Sequence, residues 1–380
     1  MSYEASGTLQ GGASDTTRIL VTGGSGFIGT NLVKHFIAAG HEVLNLDIAP
    51  PQIHNLCPWQ EVDIRDATAL STAVAAFAPE IICHFAARVD LDGSTIGDYD
   101  ANTIGVANLV KAAENTPSVR RVLFASSQLV CTPGHQPKDE FDFSPPNAYG
   151  ESKVLGEQLV RTMMGTPPSR EETLGSSTEN GESDVAQITG TATATAADGT
   201  GAREAAPGGF TWVLLRPTSI WGPHFGPLYS AFLRSVRDGH YVHPKGHRVR
   251  KSFGFVGNAV HEIDKIAFAS DAAVHGRVLY ISDYEPYPIY EWAQLASQAF
   301  GSGPIREVPT LALRAAAVGG DVLRLLGWKH PPLTSYRLRN MLTETVFDLE
   351  PVKEIAGELP FSLEDATNIT VEWMKANPNL

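Results

Sequence analysis

Arg18-Ile-Leu-Val-Thr22 runs directly into Gly23-Gly-Ser-Gly26-Phe-Ile-Gly29. The first part is an apolar, β-branched run and predicts a buried strand. From Phe27 to Ala39 the apolar residues recur at helical spacing until Gly40 stops the pattern. Between strand and helix, glycines three residues apart let the backbone approach a pyrophosphate at the helix N-terminus, whose partial positive charge favours an anion. This reading makes Gly23, Gly26 and Gly29, with Phe27 and Ile28 between them, candidates for cofactor binding. The next strand, His41 to Asp47, ends in an acid. A carboxylate at this spacing accepts both ribose hydroxyls of an adenosine and repels a 2′-phosphate. No arginine immediately follows Asp47, so NAD is expected rather than NADP. A short third strand ending at Asp63 would place Asp63 against the adenine amino group, with Ile64 beside it. A turn and helix cap is the alternative for Asp63.

Further out, strand and helix keep alternating: a helix over Ala67–Phe77, strands at Glu80–Phe85 and Arg120–Ser126, and a long helix from Asp98 to Asn115 between those two. The strands are continuous apolar runs, which predicts a parallel sheet covered by helices on both faces. The fold class expected is therefore α/β, a Rossmann-type doubly wound parallel sheet with a smaller C-terminal substrate-binding lobe. Residues 1–17 read as a flexible tail. Residues 165–209, dominated by Thr, Ala, Gly, Ser and Glu, read as a disordered low-complexity insertion that cannot offset the entropy of ordering. The NAD-binding part is then 18–164 and 210–222 with 253–282, and the substrate lobe 223–252 and 283–380.

Composition narrows the function classes. The 380 residues carry a formal net charge of -13, which disfavours a nucleic-acid partner. Cys57, Cys83 and Cys131 fit no metal spacing and cannot pair completely, pointing to a reducing compartment. The opening residues lack a basic start followed by an apolar run, and no long apolar segment spans a membrane. The expectation is a cytoplasmic chain with no signal peptide, metal or membrane partner.

Chemistry is suggested by Tyr149-Gly-Glu-Ser-Lys153, which puts a phenol and an ammonium at i and i+4 on one helix face. A nearby lysine and the positive nicotinamide of an oxidised cofactor would favour the phenolate, letting Tyr149 take a substrate hydroxyl proton while the carbon gives hydride to NAD. Ser127, at the end of the fifth strand, would donate a hydrogen bond to the same oxygen.

These pieces together resemble the extended short-chain dehydrogenase/reductases, the group of NAD-dependent epimerases and dehydratases. Matching segments include His84-Phe-Ala-Ala87, Asn102, Ser126-Ser127, Leu215-Arg-Pro217 with Trp221-Gly-Pro223, and Phe253-Gly-Phe-Val-Gly-Asn258. The resemblance implies that Phe85, Ala86, Ala87, Asn102 and Pro217 contact the cofactor and that Lys153 also holds the nicotinamide ribose. Arg88, Ser127, Arg250 and Lys251 are implied on the substrate side, and a homodimer is implied through the helices from Asp98 and Tyr149. Two departures are visible. Val130-Cys131-Thr132 replaces the usual Val-Tyr-Gly, with Cys131 expected to pack as a small hydrophobe. Gln128-Leu129 stands where 4,6-dehydratases carry Asp-Glu, which argues against dehydration.

Arg234, Arg237, Lys245, Arg248, Arg250 and Lys251 form a basic stretch opposed only by Asp238, a seat for a diphosphate. His224, His243 and His247 lie nearby without metal spacing. The first expectation is an epimerase or related oxidoreductase on a nucleotide-activated sugar. A rival reading starts from Phe255-Val-Gly-Asn258 with Val260-His261, which resembles 3β-hydroxysteroid dehydrogenases. The apolar helix Leu311 to Leu326, Pro331-Pro-Leu-Thr334 and a closing helix from Glu364 to Met374 extend that likeness, and they suit oxidation of a hydrophobic secondary alcohol. A third reading keeps the fold as a non-catalytic NAD-binding protein.

Overall fold

A computed structural model describes residues 16–165, 209–328, 331 and 333–378. Residues 166–208 of the expected insertion and most of the expected tail lie outside the described residues. The first half runs β1 (Arg18–Thr22), α1 (Phe27–Ala38), β2 (Glu42–Asp47), β3 (Trp59–Glu61), α2 (Ala67–Phe77) and β4 (Ile81–His84). A 3-10 turn (Ile96–Asn102), α3 (Ile104–Glu114), β5 (Arg121–Ala125), a second 3-10 turn (Gln128–Val130) and α4 (Ala148–Met163) follow. Then come β6 (Thr211–Pro217), β7 (Ser219–Trp221), α5 (Pro227–Arg237), β8 (Val242–Pro244), β9 (Arg250–Lys251), β10 (Phe253–Phe255) and α6 (Val256–Phe268). The chain closes with α7 (Asp271–Val274), β11 (Val278–Ile281), β12 (Tyr287–Pro288), α8 (Ile289–Phe300), β13 (Arg306–Val308), α9 (Thr310–Leu325), α10 (Ser335–Met341), α11 (Glu350–Ala356) and α12 (Leu363–Ala376).

The main sheet has the order β11-β6-β5-β4-β1-β2-β3, and its strand pairs are all parallel. Successive strand residues supply opposite faces. Ile19, Val21, Ile81, Cys83, Leu123, Val213 and Leu215 enter one hydrophobic cluster. Leu20, Ile82, Val122, Phe124, Trp212 and Leu214 enter the other. Both faces are buried, and that is why the strands read as unbroken apolar runs. The first cluster also takes in Trp221, Phe225, Leu233 and Trp292, so the later segments share a core with the sheet. Trp292 sits 4.5 Å from Trp221 and 4.8 Å from Phe232, ring centre to ring centre.

Three expected boundaries shift. The third strand ends at Glu61, so Asp63 lies in the turn after it. Asp66, rather than Asp63, caps α2 by accepting from the Thr68 and Ala69 amides. The helix expected from Asp98 to Asn115 is broken: Thr103 leaves helical geometry at φ -120 and ψ -69, separating the 3-10 turn from α3. Strand order reverses beside β1 and β4, and the crevice at their C-terminal ends is where a doubly wound sheet binds its ligand.

Candidate active site

Gly23 stands at the head of that crevice with φ +74, and a Cβ there would come 2.5 Å from the Ala86 amide nitrogen. Phe85 and Ala86 after β4 therefore press against the glycine turn. Gly26 precedes α1 without any side-chain cap, and the first turn of the helix carries no acid. Its leading amides and positive dipole end are thus left for an anionic ligand. Asp47 accepts from the Ser25 amide at 3.0 Å and the Ala49 amide at 3.0 Å, which fixes the carboxylate beside the glycine turn with lone pairs to spare. The glycine turn is closed from above by residues that sequence reading missed. Gln52 donates to Ser25 O at 3.2 Å and meets His224 at 3.3 Å, while Asn31 donates to Pro223 O at 3.1 Å. The Trp221-Gly-Pro223 match was the available signal for this loop.

Other residues expected at the cofactor have defined places within the chain. Arg65 donates to both Asp63 oxygens, at 3.0 and 2.6 Å, and holds this carboxyl below its ordinary range. Ile64 is buried among the core residues beside Gly105. Pro217 closes β6. Asn102 works as a brace rather than an exposed contact: it accepts from the Arg88 amide at 2.9 Å, donates to Arg88 O at 3.0 Å and donates to Ser152 at 3.0 Å. Ser152 in turn donates to Tyr149 O at 2.7 Å. The loop after β4 is thereby tied to the first turn of α4.

Asn147 caps α4 by accepting from the Gly150 amide at 2.9 Å. A Cβ on Gly150 would collide with Leu129 O, so this glycine lets α4 close on the turn after β5. Tyr149 and Ser127 are consequently brought to the same site, both buried, with the Tyr99 ring 5.8 Å from that of Tyr149. Lys153, one helical turn on, donates to Ala125 O at 3.0 Å. Burial lowers Lys153 to about 8, with Glu157 acting against it. The phenol of Tyr149 is raised above its ordinary value: burial dominates, the Ser127 hydroxyl opposes it, and Tyr99 adds to the rise. This is opposite in sign to the lowering expected from the lysine neighbour.

The same helix face continues past what the sequence reading used. Glu157, four residues beyond Lys153, accepts from Ser126 at 2.5 Å and from Arg216 at 2.9 and 2.8 Å. Arg161, four further, is fully buried and donates to Glu140 at 3.1 Å. The i, i+4 repeat from Tyr149 was the signal that would have found both. His84 is buried at the end of β4, joined to Thr22 at 2.7 Å, and lowered to about 3 by burial and then by Lys153, so it is neutral.

On the substrate side, Gln128 donates to Ser219 at 3.0 Å. Cys131 packs with Val130, Val154 and Phe143, as a small hydrophobe would. Four residues of the expected basic seat are engaged within the chain. Arg237 pairs with Asp238 at 2.8 Å, Arg248 with Glu307 at 2.7 Å and Arg250 with Glu344 at 3.4 Å. Lys251 donates to Asn340 at 2.8 Å and is lowered to about 8 by burial. Arg88 is held by Asp90, at 2.8 and 3.0 Å, and by Asp98 O at 2.7 Å. His243 donates to or accepts from Tyr241 and meets His247 O at 2.8 Å; among the described residues no cluster suits a metal.

Among known proteins, the profile of the NAD dependent epimerase/dehydratase family matches residues 19–167. A 3 beta-hydroxysteroid dehydrogenase/Delta 5-->4-isomerase of Mycobacterium tuberculosis is 26% identical over 372 residues, covering 92% of this chain and 89% of that protein. An N-acetyl-alpha-D-glucosaminyl-diphospho-ditrans,octacis-undecaprenol 4-epimerase of Escherichia coli O157:H7 is 25% identical over 363 residues, covering 93% and 94%. The crystal structure of a Thermus thermophilus UDP-glucose 4-epimerase in complex with NAD superposes with a TM-score of 0.63 at 19% identity, over 94% of this chain and 99% of that one. The glycine turn, the Asp47 strand end and the Tyr149–Lys153 helix all lie inside the span that matches the NAD dependent epimerase/dehydratase family.

Proposed function

We propose that the protein interconverts a secondary alcohol and the corresponding ketone on a lipid-like substrate, with NAD held on the glycine turn. The uncapped, acid-free start of α1 and the close-set Gly23 fit a pyrophosphate, and Asp47 fits an unphosphorylated ribose. When bound, the cofactor supplies a hydride acceptor or donor. Tyr149 exchanges the hydroxyl proton at its phenolic oxygen, and Ser127 holds the substrate oxygen by hydrogen bond. Lys153, still largely protonated at neutral pH, supplies the positive charge that offsets part of the burial cost of the phenolate. The brace of Asn102 and Ser152 keeps Tyr149 in place.

The observation that carries the lipid-like substrate is the state of the basic stretch: Arg237, Arg248 and Arg250 are engaged by acids of the chain itself. A diphosphate would have to displace those acids. Among relatives aligned along nearly the whole chain, the Mycobacterium tuberculosis dehydrogenase supports this reading, its printed substrate being a steroid without a diphosphate. A second reading, epimerisation of an activated sugar, draws on the 4-epimerase relative and on Lys251, whose bond to the neutral Asn340 leaves its charge uncancelled. The experiment supplies NAD with a panel of 3β-hydroxysteroids and long-chain secondary alcohols beside UDP- and GDP-sugars. NADH formation with a hydrophobic alcohol alone supports the first reading. Sugar interconversion without net NADH replaces it with the second. The homodimer requires a mass of two chains in light scattering; of α3 and α4, Ile104, Lys111, Glu114 and Glu151 are the exposed positions available to such a contact.

A further inference from the structure

Helix α9 meets the rest of the chain along one narrow line. Leu313, Ala317 and Gly320 fall at i, i+4 and i+7 and are buried. Leu313 and Ala317 pack with Leu338 of α10 and with Val242, Val308, Leu333 and Leu342. At Gly320 a Cβ would collide with the Leu333 carbonyl, so the helix is seated closely there. The opposite side, at 100° per residue, carries Leu311, Ala315, Val318, Val322 and Leu325. Leu311 is 79% exposed, Val318 58% and Leu325 87%, and Leu326 and Trp328 extend the stripe at 78% and 51%. A contiguous apolar surface of this kind marks an interaction site.

The surrounding charge indicates the partner. The chain has 42 acids against 29 Lys and Arg, yet between positions 310 and 341 the sequence sets Arg314, Arg324, Lys329, Arg337 and Arg339 against Asp321 as its one acid. That acid is engaged by the Ser335 amide at 3.2 Å, at the start of α10. Two aromatic residues, Trp328 and Tyr336, are exposed close in sequence to the end of the stripe. Leucines and a tryptophan flanked by arginines suit a helix lying in a lipid interface. Pairing with a second copy through the same face would bring the arginines of one chain against those of the other. A soluble polyanion would meet the cations but leave the leucines in water.

We propose that the exposed face of α9, with Trp328, docks the protein on the surface of an anionic lipid bilayer. The helix lies on the membrane and does not cross it: no helix among the described residues is long and apolar enough to do so. Peripheral docking departs from the sequence expectation of no membrane partner. It rests on α9 and its flanking charges, independently of which alcohol is turned over. Asn340, on the α10 that packs against α9, holds Lys251, so the docked face is coupled to the substrate-side strand β9.

The test floats the full chain with phosphatidylcholine vesicles and with vesicles that also contain phosphatidylserine. The protein is expected to co-float with the serine-containing vesicles, more weakly with phosphatidylcholine alone, and less in added salt. Val318→Glu/Leu325→Glu changes only exposed positions; it should leave the thermal unfolding midpoint in place and abolish co-flotation. Arg314→Glu/Arg324→Glu should weaken binding to the anionic vesicles by roughly fivefold or more per arginine and leave phosphatidylcholine binding unchanged. Co-flotation with neither vesicle, or co-flotation untouched by Val318→Glu/Leu325→Glu, would overturn the proposal. So would a dimer in light scattering that this double variant dissolves while vesicles bind nothing. None of these readouts uses turnover, so failure here is separate from failure of the substrate reading.

Discussion

At Tyr149 burial and the Ser127 hydroxyl oppose each other, and burial wins: the phenol stands above its ordinary value although Ser127 pulls it down. A site built this way needs charge to ionise the phenol, and Lys153 is the nearest cation on its helix. Replacing Tyr149 by Phe removes the proton acceptor while keeping the ring that packs on Tyr99. Steady-state assays should show turnover falling by about 10²–10⁴-fold. The Ser152 bridge is a different case, because Ser152 is fully buried and bonded to Asn102 and Tyr149 O. Ser152→Ala deletes its bonds to Asn102 and Tyr149 O and should cost about 1–3 kcal/mol in denaturant unfolding. Its effect on activity should fall on kcat with KM little changed, since it positions Tyr149; a loss of stability alone would reduce this residue to packing.

At the scale of elements, α4 carries a line of polar groups, Tyr149, Lys153, Glu157 and Arg161, all facing inward and nearly all buried. Glu157 and Arg216 tie α4 to β6 as a pair removed from water on both sides. Glu157→Gln should destabilise the chain by about 3–5 kcal/mol, read from chemical unfolding, because a buried guanidinium loses its counter-charge. Glycine contacts are equally specific. At Gly29 a Cβ would collide with Gly23 O, so Gly29→Ala should weaken NAD binding in calorimetric titration by at least tenfold while Asp47 stays in place. What was legible in the sequence follows from locality. The strand β1, the glycine turn and α1 are adjacent in the chain, and periodicity with capping residues defines each of them. The break at Thr103 escaped because neither Gly nor Pro marks it. The partners of the basic stretch escaped for another reason: Glu344 and Asn340 lie 94 and 89 residues from Arg250 and Lys251, and no spacing rule reaches that far.

For the molecule as a whole, one core runs from the sheet into the C-terminal segments, and buried acids lie within it. Asp283 accepts from Asn258 at 2.7 Å and from the Phe255 amide at 3.1 Å; burial nevertheless raises it from 3.8 to about 6. Glu262, fully buried beside it, is raised as well, first by burial and then by Asp283. A raised folded-state value means that the folded chain keeps its proton where the unfolded chain has lost it. The contribution is full below about pH 4 and is lost as pH climbs through about 6. For Asp283 alone, the difference between 3.8 and about 6 corresponds to about 3 kcal/mol. Asp283→Asn keeps the accepting oxygen and should flatten the decline in unfolding free energy between about pH 4 and pH 6; an unchanged slope would remove Asp283 from that role.

In the proposed reaction a proton leaves through Tyr149 beside NAD held on the glycine turn. The most direct measurement pairs NAD titration with single-turnover NADH formation on a hydrophobic secondary alcohol, for the unaltered chain and for Tyr149→Phe. The prediction is equal NAD affinity in both proteins and NADH formation only in the unaltered one. NADH formation at the same rate in Tyr149→Phe would contradict it.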